Sequence, residues 1–327
     1  MTKFQQRFIT LLLLVAGISG AIIYYTVDVH TLKNLTAFQP WSIVLALLFL
    51  TIGMYFDGTR LRRLVTIAGD RITFLQALQV IFGNYFLAML TPGAAGGAVA
   101  QVMFLRRAGV PLGKATVLVL VRTIMSILFL LIAMPVVFYF DAGLVPWLSP
   151  DLLAVIAAVL VLASIGGLAF FRTRMSLYLT LRVTRRMKHG RRRKLFGLYH
   201  DIRNAVELLS QSPAKVICVF LESGASLLAL YAVVPALFLG LGAEVDWGLI
   251  MGRMIFLNLL LYFAPTPGGS GVAEGGFVVL FGELLPAGTV GVLAVAWRIL
   301  AEYLPFSLGF YFTIQVFGRD FLAKQLK

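Results

Sequence analysis

Charge is scarce in this chain: only 13% of its 327 residues are Asp, Glu, Lys or Arg, while 60% are apolar. A soluble core of this size has no use for so much apolar surface, so water is not the main solvent. Cysteine is almost absent. Cys218 stands alone, which excludes a disulfide or a thiolate metal site within one chain and leaves it a structural role in an apolar span. Histidine is limited to His30, His189 and His200, all in loops or basic surface segments, and HExxH, GxSxG and GxxxxGK followed by Ser or Thr are all missing. Zinc hydrolysis, serine-nucleophile chemistry and ATP-driven work by this chain alone are thus not indicated. A membrane glycosyltransferase would want an acidic pair in an aqueous loop, and Asp28, Asp141, Asp151, Glu244 and Asp246 are candidates by location only. The chain reads as a non-enzyme with neither cofactor nor metal.

What is present is a series of long apolar runs. A hydrocarbon layer about 30 Å thick takes roughly 17 to 25 apolar residues per helix, and full spans are expected at 8–26, 41–56, 115–140, 152–171, 214–241 and 288–318. A net charge of +14 would suggest nucleic acid in a soluble protein; here the question is which loops carry it. Of the 28 Lys and Arg, 24 lie in 1–8, 57–71, 106–114, 172–215 and 319–327, stretches that the positive-inside rule assigns to the cytoplasm. The loops at 27–40, 141–151 and 242–247 hold Lys33 as their only basic residue and face the other side. Both termini are therefore expected inside. Lys3 and Arg7 ahead of an apolar run have the outline of a signal peptide, but the length of that run and the spans after it favour an uncleaved first helix.

Two stretches of the chain align with each other at an offset of 174 to 176 residues: NYFLAMLTPGAAGGAVAQ from Asn84 and NLLLYFAPTPGGSGVAEG from Asn258. Thr91-Pro92-Gly93 matches Thr266-Pro267-Gly268, Gly96 matches Gly271, and further on Arg122 matches Arg298. Gly97 and Gly269 extend the two glycine clusters. Proline removes a helix donor and glycine permits turns other residues resist, so each copy should interrupt its helix at TPG. The pieces on either side, 72–90 with 98–105 and 248–264 with 272–285, are too short for comfortable spans. Two re-entrant hairpins, at 72–112 and 248–286, fit better, because irregular backbone at membrane depth survives only inside protein or beside a water-filled cavity. Arg71, Arg106, Arg107 and Lys114 flank the first, which enters from inside; three spans later the second enters from outside, beside Glu244, Asp246 and Glu283. The expected architecture is a single all-α polytopic membrane domain over 1–327, with about six full spans and two broken hairpins related by an inverted repeat, the arrangement of transporters. The basic segment 172–215 carries Leu195, Leu198, Tyr199, Ile202, Val206 and Leu209 at helical spacing. It should lie along the inner surface, either as a topology-setting loop or as a recruiter of anionic headgroups.

Arg122 lies eight residues beyond Lys114, roughly 12 Å deeper, and Arg298 is some ten residues into the last span. An intramembrane arginine costs at least about 2.5 to 3.5 kcal/mol on insertion scales, so a ligand or a structural partner must account for each. Glu302 is four residues after Arg298, Glu274 follows the second break, Glu222 lies a third of the way into its span and Arg253 opens the second hairpin. A fully paired arginine would be a strut, whereas a partly paired one can offer its planar fork to a phosphate. Half-helices starting after each break add free N–H groups that favour an anion. The candidate binding residues are thus Arg122, Arg298, Arg253, Glu274, Glu222 and Glu302 with Asn84 and Asn258, and the ligand they favour is anionic.

TPGAAGG with LRRAGVPLGKA and VLVLVRT, then PTPGGSGVAEGGF with AWRILAEYLPF, resembles the flippase-like domain family: the transmembrane half of lysylphosphatidylglycerol synthase and its stand-alone bacterial and archaeal homologues. The resemblance covers nearly the whole chain. It implies translocation of polar-headed lipids across the cytoplasmic membrane, such as anionic or aminoacylated phospholipid, polyprenyl-phosphate-linked sugars or hopanoid-associated lipids. The family's pattern often has an acid after the first glycine cluster, where this chain has Gly97 and Ala98. The leading expectation is a lipid flippase or transporter for a phosphate-bearing headgroup. The alternatives are a secondary transporter of a small soluble anion and a non-transporting scaffold for envelope-lipid biosynthetic enzymes. Which lipid it takes, the direction, the driving force and the oligomeric state are open at this point.

Overall fold

The structure, a computed structural model, describes residues 38–91, 93, 95–141, 144, 189–244, 246–286 and 289–325, with isolated positions between 152 and 182. The expected first span at 8–26 lies outside the described residues, as does most of 152–171. All described regular elements are helical: α1 Pro40–Ile67, α2 Phe74–Met89, α3 Ala95–Arg107, α4 Leu112–Phe140, α5 His189–Ser210, α6 Pro213–Tyr231, α7 Val233–Gly240, α8 Trp247–Tyr262, α9 Val272–Phe281, α10 Thr289–Arg298 and α11 Leu304–Gln325. Among the described residues, four stretches are long and apolar enough to cross a membrane: Pro40–Ile67, Leu112–Phe138, Pro213–Gly240 and Thr289–Phe317. They correspond to four of the six expected spans.

The first of these corrects the sequence reading. The apolar run was expected to stop near residue 56, leaving 57–71 as a cytoplasmic loop; instead α1 continues to Ile67. Its buried stripe of Leu50, Met54, Asp57, Leu61 and Leu64 keeps alternating steps of four and three residues, so one helix face runs unbroken through Asp57. Asp57 and Arg60 are consequently core residues, 3% and 4% exposed, rather than loop charges. The helix is stopped at Gly69, whose φ of 83° an L residue rarely adopts.

α2 and α8 have 16 residues each, short of the roughly 20 a full crossing takes, and each runs into one of the glycine-rich breaks. Thr73 and Gln76 begin α2 with a reciprocal capping box, Thr73 Oγ1 accepting from the Gln76 amide and Gln76 Oε1 from the Thr73 amide at 2.8 Å. Pro213 opens α6, where its missing donor costs nothing. α11 packs along α2 and α3 through Phe82–Phe312, Phe86–Phe306 and Phe104–Phe317 ring contacts. The basic amphipathic helix α5 buries Tyr199, Val206 and Leu209 and packs against α4, so the predicted apolar face is at least partly a protein-facing one.

α2 and α11 approach so closely that a Cβ on Gly309 would sit 2.0 Å from the Phe82 carbonyl oxygen, a contact that only a backbone shift relieves. Small residues at such crossings let membrane helices gain van der Waals contact in place of the hydrophobic drive they lack. Gly309→Ala should therefore lower the thermal stability of the detergent-purified protein, by about 1–3 kcal/mol if it follows other overpacked sites. Gly282→Ala, where a Cβ meets nothing within 4 Å, serves as the control and should leave the melting temperature unchanged.

Candidate functional site

At the first break the chain leaves α2 at Leu90 and re-enters helix at Ala95. Thr91 ties the two ends together: its Oγ1 donates to Leu87 O at 2.8 Å and accepts from the Gly96 amide at 2.7 Å. Gly93 takes a φ of 62°, which explains the glycine there. α3 then folds back on α2 so closely that a Cβ on Gly97 would lie 2.4 Å from Asn84 Oδ1. The contact places Gln101, one turn on, where its Nε2 donates to Asn84 Oδ1 at 2.8 Å.

From Gln101 a chain of hydrogen bonds crosses four helices. Its Oε1 accepts from Arg122 Nη1 at 2.7 Å. Arg122 in turn grips the Asp57 carboxylate, Nη2 to Oδ2 at 2.5 Å and Nε to Oδ1 at 3.3 Å. Arg60 Nε donates to the same Oδ1 at 2.5 Å, and Arg60 Nη1 reaches Ser126 Oγ at 3.0 Å. One carboxylate between two guanidinium groups leaves a net charge of +1 on the cluster. Arg60 Nη2 makes no hydrogen bond among the described residues and is not sealed from the adjoining cavity.

The second break carries different side chains on a backbone with positive φ at Gly268, Gly269 and Gly271, where the described residues of the first have it at Gly93 alone. Gly268 has a φ of 59°, and its position against Met89, where a Cβ would come within 2.9 Å, brings the second break onto the end of α2 beside the first. Glu274 Oε2 accepts from the Gly271 amide at 2.8 Å, capping α9. Its Oε1 accepts from Arg298 Nε at 3.1 Å, and Arg298 Nη1 donates to Gly268 O at 3.2 Å and to Glu302 Oε2. Arg298 is 1% exposed. Glu302 stands on the π-helical turn Ile299–Tyr303 that joins α10 to α11, a widened turn of the kind often found at functional sites. Two carboxylates around one guanidinium give this cluster a net charge of −1, opposite in sign to the first.

A cavity of about 470 Å³ lies between the two clusters. Asp57, Arg60, Arg122 and Glu302 are the charged residues in its wall, Gly93, Gly268 and Gly269 bring both breaks to it, and Tyr85, Tyr231 and Tyr262 add hydroxyls. Of the residues expected from sequence, Arg122, Glu302, Asn84 and Asn258 reach this cavity; Arg298 and Glu274 sit behind it, joined to Glu302. Asn258 spends its amide on Met254 O of its own helix, at 2.9 Å. Two candidates lie elsewhere. Glu222 forms a two-pronged pair with Arg63, at 3.0 and 2.7 Å, that ties α6 to α1. Arg253 bonds Asp141 Oδ2 at 2.7 Å and the Leu280 carbonyl, joining α8 to the end of α4 and to α9. Both act as braces between helices. Asp57, Arg60 and Gln101 are the site residues that the sequence reading missed, and the seven-residue rhythm through Asp57 was the available signal.

The profile of the lysylphosphatidylglycerol synthase transmembrane region matches residues 9–309. The chain belongs to that family. A UPF0104 membrane protein of Archaeoglobus fulgidus is 22% identical over 273 residues, which is 80% of this chain and 83% of the relative. The family match spans both breaks, both arginine clusters and the π turn, so the whole cavity falls inside the matched region.

Removing the shared carboxylate would strand two guanidinium groups in a buried site, a loss that typically costs about 3–5 kcal/mol. Asp57→Ala should therefore destabilise the protein by about that much in thermal or denaturant unfolding, whereas Glu222→Gln, whose partner Arg63 is 43% exposed, should cost far less.

Proposed function

We propose that this protein moves lipids with a phosphate-bearing headgroup across a bacterial or archaeal cytoplasmic membrane, the headgroup passing through the cavity while the acyl chains stay in the bilayer. The observation that carries the proposal is the Asp57–Arg60–Arg122 cluster in the cavity wall: a guanidinium pair with one net positive charge and a free Nη2 donor. Arg122 lies ten residues into α4, about 15 Å along it. An uncompensated charge at that depth is expensive and marks a ligand or ion path, and the planar guanidinium suits a phosphate oxygen. Helix breaks that meet at a polar cavity are the usual site-forming device of transporters built from inverted repeats, so we read α2–α3 and α8–α9 as re-entrant hairpins entering from opposite faces. Membership of a family whose synthase members handle a phospholipid supports a lipid as the cargo.

Arg60→Gln combined with Arg122→Gln should reduce translocation of a fluorescent phosphatidylglycerol in proteoliposomes to the protein-free rate, with insertion checked by protease protection. Full translocation by the double variant would overturn the assignment. Because Arg298 is engaged by two glutamates, Arg298→Gln should act chiefly through stability, lowering the melting temperature more than any single change at Arg60.

A further inference from the structure

We infer that Glu302 is a proton-binding site, and that a phosphate headgroup enters the cavity together with a proton taken up by this carboxylate. The inference deepens the proposed function and rests on it. With every side chain ionised, the two clusters sum to zero: three arginines, Asp57, Glu274 and Glu302. An arriving phosphate would make the loaded cavity net negative within the hydrocarbon region, where an unbalanced charge is heavily penalised. One proton restores neutrality, and the carboxylates differ in their ability to accept it.

Asp57 has both oxygens committed to guanidinium donors. Glu274 has one on the Gly271 amide and one on Arg298, and its side chain is only 3% exposed. Glu302 uses Oε2 on Arg298, while Oε1 accepts no hydrogen bond among the described residues and the side chain keeps 18% exposure, in the cavity wall. Of the two carboxylates in the cavity wall, Glu302 is therefore the one with an oxygen left to take a proton. The charged and titratable groups set around Glu302 come from every neighbouring element. Glu274 on α9 raises the local negative charge, and Arg298 on α10 opposes protonation. Asp57, Arg60 and Arg122 stand across the cavity on α1 and α4, Tyr85, Tyr231 and Tyr262 line it from α2, α6 and α8, and Tyr303 stacks on Arg298 at 5.7 Å.

Arg298 also has unused hydrogen-bonding capacity: its Nη2 is buried with no partner among the described residues. A phosphate at the Arg60 end favours the proton at Glu302 by charge balance, and the proton favours the phosphate equally, since coupling between two binding events is reciprocal.

The full-length protein in detergent, titrated with dihexanoylphosphatidylglycerol by calorimetry in two buffers of different ionisation enthalpy, tests this directly. Wild type should take up as much as about one proton per lipid bound, and Glu302→Gln should take up none. Lipid binding by wild type without proton uptake, or uptake that persists in Glu302→Gln, would overturn the proton site alone. No lipid binding, or binding indifferent to the paired Arg60→Gln and Arg122→Gln changes, would overturn the phosphate-headgroup reading and this inference with it. The wild-type arm decides the question of uptake even if the Glu302 variant fails to fold.

Discussion

Asp57 is 3% exposed and accepts hydrogen bonds from Arg60 and Arg122. Burying a carboxylate is tolerable only when opposite charge and donors replace its water. Two guanidinium groups do so here, and each then depends on that carboxylate in return. Because Asp57 and Arg60 are on α1 and Arg122 on α4, the ion cluster fixes the relative placement of these helices. Through Gln101 and Asn84 the same cluster reaches α3 and α2. The first break is thereby held open against a charged wall, and the position of the cavity follows from that.

The two breaks show how similar sequences come to carry opposite charge. In both, a TPG turn ends one short helix, a glycine-rich stretch starts the next, and an arginine from a following helix engages what is left. In the first copy that arginine meets the neutral Gln101 and an aspartate borrowed from α1; in the second it meets Glu274 and Glu302 from its own half. Val99 stands where Glu274 stands in the second copy, so the first break has no acid of its own. The cavity is accordingly polarised: a cationic end at Arg60 and Arg122 faces an anionic end at Glu302.

Much of this could be read from the chain alone. The TPG repeats, the matched arginines, the interruption of two short helices and the reach of Arg298 to Glu302 all follow from residue order, because helix breaks and i,i+4 pairs are local; the bond from Arg298 to Glu274, 24 residues away, does not. What escaped was non-local. The charged side of α1 resembled a basic loop because Arg60, Arg62 and Arg63 lie close together; only packing against α4 and α6 distinguishes buried Arg60 from Arg63, which pairs with Glu222. Similarly, Arg253 and Glu222 looked like ligands because they are charges in apolar segments. Their partners, Asp141 and Arg63, are 112 and 159 residues away, a distance over which periodicity carries no information.

Lipid retention is the most direct test of the central claim that the Asp57–Arg60–Arg122 cluster receives a phosphate headgroup. Protein extracted gently from its membrane and examined by native mass spectrometry should carry phosphate-bearing lipids enriched over the bulk membrane. The same preparation of the folded Arg60→Gln, Arg122→Gln double variant should have lost that enrichment. An identical lipid profile for both proteins, or a wild type that retains only lipids without phosphate, would contradict the account.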